Sequence, residues 1–453
     1  MNEDECDSNL NRRDFLKGGS AATIMTALGG AQLFAGAESP PDEEKSDGPK
    51  IKVGLIGLGA WGGRDLINAL ARVPQATVAA VCDTYPAAIK RCGDAAPDAV
   101  RTDKYQAILD DKEIKAVLVA TPTHLHKEIV LAALKAGKHV YCEAPLANTI
   151  ADAREIGKAA QDARQLVFQA GLQLRSDKER TFLWPFIQSG ALGRTLMVRA
   201  QWHKKQSWRL ASPNPEREKA INWRLNKADS LGLVGEVGIH QIDQAAWFLA
   251  SRPVAISGLG SVLRWTEDGR EVADTVQLLV EFPSGVNMIF DATLGNSFDS
   301  NYDVFYGDAA AIMLRDEKAW MFKEADSLLF GWEVYAAKTK FLDETGIALV
   351  AGASKSVSSA PPTPEEVFKA SPLFNALDNF IRNAADITFA VEDTTATYGD
   401  DPALVREAIA KVRLRAAAGP REGFQATVTV IKANEAIENR RRVILKPELY
   451  ELS

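Results

Sequence analysis

Between Ile51 and Ala170 the chain alternates short, almost wholly apolar runs with longer amphipathic ones. The apolar runs are Ile51–Ile56, Thr77–Cys82, Lys115–Ala120, His139–Glu143 and Gln165–Ala170, and the stretches between them carry helical spacing. Strands covered by helices on both faces lose the polar half of their alternation, so this pattern predicts a parallel, doubly wound sheet. From about Gly171 the rhythm changes. RTLMVRAQW, VAISGLGSVL, TVQLLVEF and VNMIFDATL read as strands, the last two joined by Pro283-Ser284-Gly285, a hairpin signal. SPLFNALDNFIRNA and Gln425–Ile437 read as helices, SKSVSSAPPTP as a surface loop, and no internal repeat is visible.

The expected fold class is therefore α/β in two parts. A Rossmann-type, doubly wound parallel sheet spans 50–170. An α/β domain with a large, open, mostly antiparallel sheet spans 171–445, with a surface loop and added helices inside 351–420. Residues 1–37 stand apart: Arg12-Arg13 precede a modestly apolar stretch that ends in Ala35-Gly36-Ala37, the pattern of a twin-arginine export signal. Gly18, Gly19, Gly29 and Gly30 leave an apolar core shorter than the ~18 residues a membrane span needs, and no cysteine follows for lipidation. Passage through the twin-arginine translocase to the periplasm or beyond is expected, with no stable membrane anchor, followed by a polar linker over 38–49.

The first strand runs into Gly57-Leu58-Gly59-Ala60-Trp61-Gly62 and then a helix. Gly57 permits a tight turn, Gly59 lets backbone approach a pyrophosphate, and Gly62 lets the helix lie close to the strand, with Ala60 and Trp61 completing the loop. Free N–H groups at the helix start face the phosphate charge. Asp83 ends the second strand, 26 residues beyond Gly57, where a carboxylate accepts from a ribose 2′-hydroxyl. The expected cofactor is NAD, with NADP disfavoured by that acid. Twin-arginine export carries folded proteins, so a cofactor loaded in the cytoplasm can travel with the chain.

Lys and Arg total 53 against 60 Asp and Glu, giving a net charge of −7 that excludes nucleic acid and anionic membrane as partners. Four cysteines, Cys6, Cys82, Cys92 and Cys142, have no metal-ligand spacing and are too few for a disulfide scaffold. A small neutral or anionic substrate fits better.

Two strand ends carry the candidate chemistry. The run Lys115–Ala120 leads into Thr121-Pro122-Thr123-His124-Leu125-His126 and the run His139–Glu143 into Ala144-Pro145, both on the carboxyl edge where open α/β sheets bind ligands. Farther on, Glu236 and His240 stand four apart, on one face if the turn is helical. An imidazole titrates near neutrality and a carboxylate can hold its tautomer, so His240 is the candidate base, assisted by Glu236. His124 and His126 lack a third ligand, so no metal is expected. Arg175, Trp223 and Arg224 are candidates for sugar binding, through fork-like donors and a flat apolar face, with ion pairing and core packing as the alternative.

On these motifs the chain resembles the Gfo/Idh/MocA family, named for glucose-fructose oxidoreductase and inositol dehydrogenase, from Ile51 to about Val443. The resemblance implies a Rossmann domain followed by an open-sheet domain, NAD or NADP, and a sugar, inositol or glycoside as substrate. It further implies that Thr121, Pro122, His124, His126, Glu143 and Ala144 line the nicotinamide end, and that subunits pair into dimers or tetramers. Members usually carry Glu-Lys-Pro at the end of the strand that here is His139–Glu143, and Asp-x-x-x-His in the second domain. Here Ala144 replaces the lysine and Glu236 the aspartate, while His240 is kept.

The expected function is an exported oxidoreductase acting on a secondary hydroxyl of a sugar, polyol or glycoside. Two alternatives stay open. One is a glycoside hydrolase or lyase that uses tightly held NAD for transient oxidation and elimination. The other is a sugar-binding protein without catalysis.

Overall fold

The computed structural model describes residues 49–315, 318–329, 333, 336, 338–341, 344–349 and 371–452. The export signal, nearly all of the linker, Cys6 and the Ser/Pro stretch lie outside the described residues.

Six strands form the first sheet: β1 Ile51–Ile56, β2 Ala76–Cys82, β3 Val100–Thr102, β4 Ile114–Val119, β5 His139–Cys142 and β6 Phe168–Ala170. All pair in parallel in the order β3-β2-β1-β4-β5-β6, so the direction of winding reverses between β1 and β4. The continuous apolar runs have a direct cause. Along β4, Ala116 and Leu118 enter the core on one face while Val117 and Val119 enter the core on the other. Loops leaving the carboxyl ends of β1 and β4 open the crevice at the switch point, where this architecture places its ligands.

The second sheet has ten strands: β7 Thr195–His203, β8 Ala255–Ser261, β9 Thr275–Glu281, β10 Asn287–Thr293, β11 Asn301–Gly307, β12 Ala310–Arg315, β13 Lys318–Lys323, β14 Lys338–Phe341, β15 Glu344–Leu349 and β16 Val443–Ile444. Their order is β14-β15-β13-β12-β11-β7-β10-β9-β8-β16, antiparallel throughout except for the central pair β7 and β10. The expected hairpin joins β9 to β10 through Gly285, which takes φ +85°. One face of this sheet, including Val198, Ala200, Leu278, Met288 and Phe290, is buried in a core that continues through Phe424 and Val428 to Val117 and Val140 of the first sheet.

Helix Pro372–Tyr398 departs from the expected division at residue 171. Phe374, Leu377, Phe380, Ile381 and Ile387 pack with Ile51, Val53, Leu55 and Tyr141, so the chain returns from the second sheet to close the outer face of the first. Its amphipathic pattern announces a buried face without saying which partner covers it.

Candidate functional site

The three glycines of the dinucleotide-type turn meet three different surroundings. Gly57 has φ +98°, and a Cβ there would fall 2.6 Å from the Ala120 carbonyl. At Gly62 a Cβ would fall 2.1 Å from the Gly57 oxygen, so the following turn can approach only without a side chain. Around Gly59 nothing lies within 4 Å of that position, which leaves the backbone open to a large group. Asp83 fixes the turn from β2: its Oδ2 accepts from the Leu58 N–H at 2.8 Å and its Oδ1 from the Tyr85 N–H at 2.7 Å. Each oxygen retains a further lone pair for a ribose hydroxyl. The open Gly59, the closely packed Gly57 and Gly62 and the anchored Asp83 fit an adenine dinucleotide.

The turn after Ala60 begins as a π-helix over Trp61–Leu66 before the α-turn Ile67–Leu70. This swings Trp61 across the crevice, where its indole donates to Glu143 Oε1 at 2.9 Å. Glu143 directly follows β5, and Gly171 crowds it so that a Cβ there would lie 2.7 Å from its Oε2. Burial pushes the Glu143 carboxyl up to about 7, against the opposing pull of Trp61, the Ala144 N–H and the Arg224 charge. Ala144 presents no cation at this edge.

His126 corrects the expectation drawn from the resemblance. Its ring is buried, one nitrogen 3.0 Å from the Pro145 carbonyl oxygen and the other 2.9 Å from that of Thr121. Burial lowers its pKa to about 4, so the ring is a neutral clamp between the two strand-end loops, with both nitrogens taken by backbone carbonyls. Thr121 and Pro122 lead into the short turn Thr123–Leu125, where Thr123 is buried and reaches the second domain through Glu236 Oε1 at 3.4 Å. His124 lies 3.9 Å from Asp229 and edge-on to Trp223. Among the described residues no group of three His, Cys, Asp or Glu side chains could hold a metal.

Trp223 is buried, with Arg224 over its ring at 4.5 Å, so its flat face is not offered to a pyranose. Arg175 is likewise spent on structure: its guanidinium makes a two-pronged contact with buried Asp243 at 2.7 and 2.9 Å and lies over Trp247. Arg224 remains available, its side chain 37% exposed and its Nε 3.4 Å from Glu236 Oε2.

Glu236 and His240 do share a turn, but with a different relation from the one expected. Val234–Gly238 is a π-helix that passes into the α-helix Ile239–Phe248. Glu236 Oε1 accepts from Ser230 and Thr123, and Oε2 pairs with Arg224, so the carboxylate is committed to the domain junction. Burial raises its pKa, with Arg224 as the main opposing influence. Among the described residues His240 Nδ1 is buried without a hydrogen-bond partner, and no bond joins it to Glu236. Burial, reinforced by the Arg180 charge, lowers the His240 pKa to about 4.

A cavity of about 520 Å³ lies between Trp61 and the second sheet, lined among others by Gln173, Arg180, Asn301, Asp303 and Arg315. Its size is that of a small-molecule site. Asp303 faces it from β11 as a buried carboxyl that burial pushes up to about 6, with Arg180 opposing. Arg180 is held by Asp177 at 2.9 Å and Gln244 at 2.5 Å. Neither Asp303 nor Arg180 was singled out from the sequence. An acid at a core position of the apolar run NYDVFY was the available signal.

Comparison with known proteins establishes the family and the fold. Residues 51–171 match the oxidoreductase family model with an NAD-binding Rossmann fold, and residues 185–313 match the GFO/IDH/MocA C-terminal domain. Residues 9–29 match the twin-arginine translocation signal sequence. The chain is 30% identical over 240 residues to levoglucosan dehydrogenase of Pseudarthrobacter phenanthrenivorans, a match covering 48% of this chain and 59% of that protein. It is 28% identical over 262 residues to inositol 2-dehydrogenase of Salmonella typhimurium, covering 56% and 70%. Among solved structures, an oxidoreductase domain protein from Kribbella flavida superposes with TM-score 0.66 at 19% identity, covering 88% of this chain and all of that one. Levoglucosan dehydrogenase in complex with NADH and L-sorbose superposes at 0.64 and 20% identity, covering 88% and 99%.

Proposed function

Because the chain belongs to the Gfo/Idh/MocA oxidoreductase family, we propose that it is an exported NAD-dependent enzyme acting on a secondary hydroxyl of a sugar, polyol or glycoside. The observation that carries this reading is the Trp61–Glu143 hydrogen bond, which ties the dinucleotide turn to the strand end bearing the ionisable groups. Gly57, Gly59, Ala60, Gly62 and Asp83 would hold the dinucleotide, with Thr121, Pro122, Glu143 and Ala144 at its reactive end. Bound NAD would accept the hydride from the carbon that carries the hydroxyl. His240 takes the hydroxyl proton: its imidazole is neutral above about pH 4 and so free to accept one. Arg224 supplies the cation that Ala144 does not, since its charge acts on both Glu143 and Glu236. Asp303, Arg180 and Asn301 in the cavity offer the mixed acceptors and donors that vicinal hydroxyls need. The sugar and polyol dehydrogenases among the relatives support the substrate class, and the signal match supports export.

Redox-neutral glycoside cleavage is the second reading, favoured by one observation. Glu143, at about 7, is still partly protonated near neutrality and can protonate a departing aglycone. In that cycle the hydroxyl is oxidised to a ketone, the acidified neighbouring C–H loses its proton, the aglycone leaves, water adds and the ketone is reduced again.

Both readings are tested by purifying the mature protein, releasing and identifying its cofactor, and assaying chromogenic glycosides without added nicotinamide. Aglycone release with deuterium uptake from solvent selects elimination, and NADH formed from added NAD and a free sugar selects the dehydrogenase. A protein that binds sugars but shows neither activity overturns both in favour of a binding protein. Full activity in His240→Ala removes His240 as the base.

A further inference from the structure

The connection from β7 to the Glu236 turn crosses back to the first sheet and touches it beside Asp83. Its short helix Pro215–Ile221 starts at Asn214, whose side chain accepts from the Arg217 N–H at 3.0 Å. Arg217 lies over the Tyr85 ring at 4.3 Å, and its Nη1 donates to the Thr84 carbonyl at 3.5 Å. Its Nε is buried and meets no acceptor among the described residues. Tyr85 in turn donates its N–H to Asp83 Oδ1, so one contiguous set runs from the ribose-facing acid to a cation of the second domain.

The connection itself is braced. Asn222 bonds both the N–H and the carbonyl of Leu210, at 2.7 and 3.0 Å, and donates to Glu218, which also pairs with Arg209. Arg217 is therefore presented by a built loop at a fixed place. A guanidinium stacks on flat π systems while its N–H groups point outward in the plane, which suits an adenine ring and a ribose oxygen together.

We propose that Arg217 is a cofactor-binding residue donated by the second domain, closing the adenosine end of the dinucleotide site opposite Asp83 and giving its Nε–H to an adenosine oxygen or nitrogen. The inference rests on the dinucleotide reading above. Its consequence is retention: a dinucleotide held by both domains leaves only when the 204–222 connection lifts, which suits an enzyme exported with its cofactor in place.

The test is NADH binding by fluorescence titration and stopped-flow displacement, on wild type, Arg217→Ala and Tyr85→Leu, with ADP-ribose as a competing probe. Arg217→Ala is expected to weaken NADH and ADP-ribose equally, by about tenfold or more, with faster NADH release and an unchanged melting temperature of the cofactor-free protein. Tyr85→Leu, which removes the stacking partner, is expected to weaken both in the same direction. Equal affinities and release rates in wild type and Arg217→Ala overturn this proposal and leave the dinucleotide reading standing. No NADH binding by the wild-type protein overturns both.

Discussion

Glu143 is asked to be buried and ionisable at once, and its protonation writes itself into stability. Its folded-state value, about 7, lies above the ordinary 4.5, so the fold prefers the neutral acid. Stability from this group is present at low pH and is lost as pH rises from about 4.5 to 7. Glu143→Gln is neutral at every pH. The variant should therefore gain on wild type across that window, by up to about 3 kcal/mol, measured from urea midpoints at pH 4.5, 6 and 8. A constant difference would mean that the carboxyl is as well solvated folded as unfolded. His240 runs the other way: lowered to about 4, it should put no limb near pH 6.5 on kcat/KM, and His240→Asn should lose 10²- to 10⁴-fold in kcat. The residue types at this edge were legible from spacing, their partners much less so. His126 and Arg175 carry the right chemistry for a ligand, but the Thr121 and Pro145 carbonyls and Asp243 had already claimed them, and such pairings form only in three dimensions.

Within the glycine turn, two adjacent roles separate cleanly by substitution. Gly62→Ala would drive a Cβ into the Gly57 carbonyl oxygen, a backbone atom that no rotamer change can move aside. It should cost about 1–3 kcal/mol of stability even without cofactor. Gly59→Ala meets open space, so the cofactor-free protein should melt within about 0.5 kcal/mol of wild type while dinucleotide affinity falls. Calorimetry and NADH titration on the two variants check the pair, and a strongly destabilised Gly59→Ala would remove the pyrophosphate approach from that position. Elements of this kind are written locally: the turn glycines, the unbroken apolar strands and the Gly285 hairpin each follow from neighbours in sequence. The π-turns at Trp61–Leu66 and Val234–Gly238 do not, because each extra residue answers to packing from elsewhere, and it is these turns that carry Trp61 and Glu236. The docking of helix Pro372–Tyr398 on the first sheet is unwritten for the same reason.

At the scale of the molecule, one core runs from Val117 and Val140 through Phe424 to Met288 and Phe290 and joins the two sheets, while the other face of the first sheet has its own core beneath helix Pro372–Tyr398. Among the described residues the opposite face of the large sheet has no such cover. Register places Ile289 beside Leu279 on one side and Arg199 on the other, with Met197 and Leu259 along the same face, and the four apolar side chains are exposed. Apolar residues clustered on a flat, hydrogen-bonded sheet are costly in water and suit a self-complementary contact about a twofold axis. We propose this face as the contact for the subunit pairing that the family resemblance implies, with a second copy of the chain as its occupant. Ile289→Glu with Leu279→Glu sets like charges on directly opposed strand positions of each face and doubles them across a twofold contact. Light scattering should show the wild-type mass as a multiple of the chain and the double variant as a monomer with its NADH affinity intact. A wild-type monomer, or a double variant of unchanged mass, would move the contact off this face.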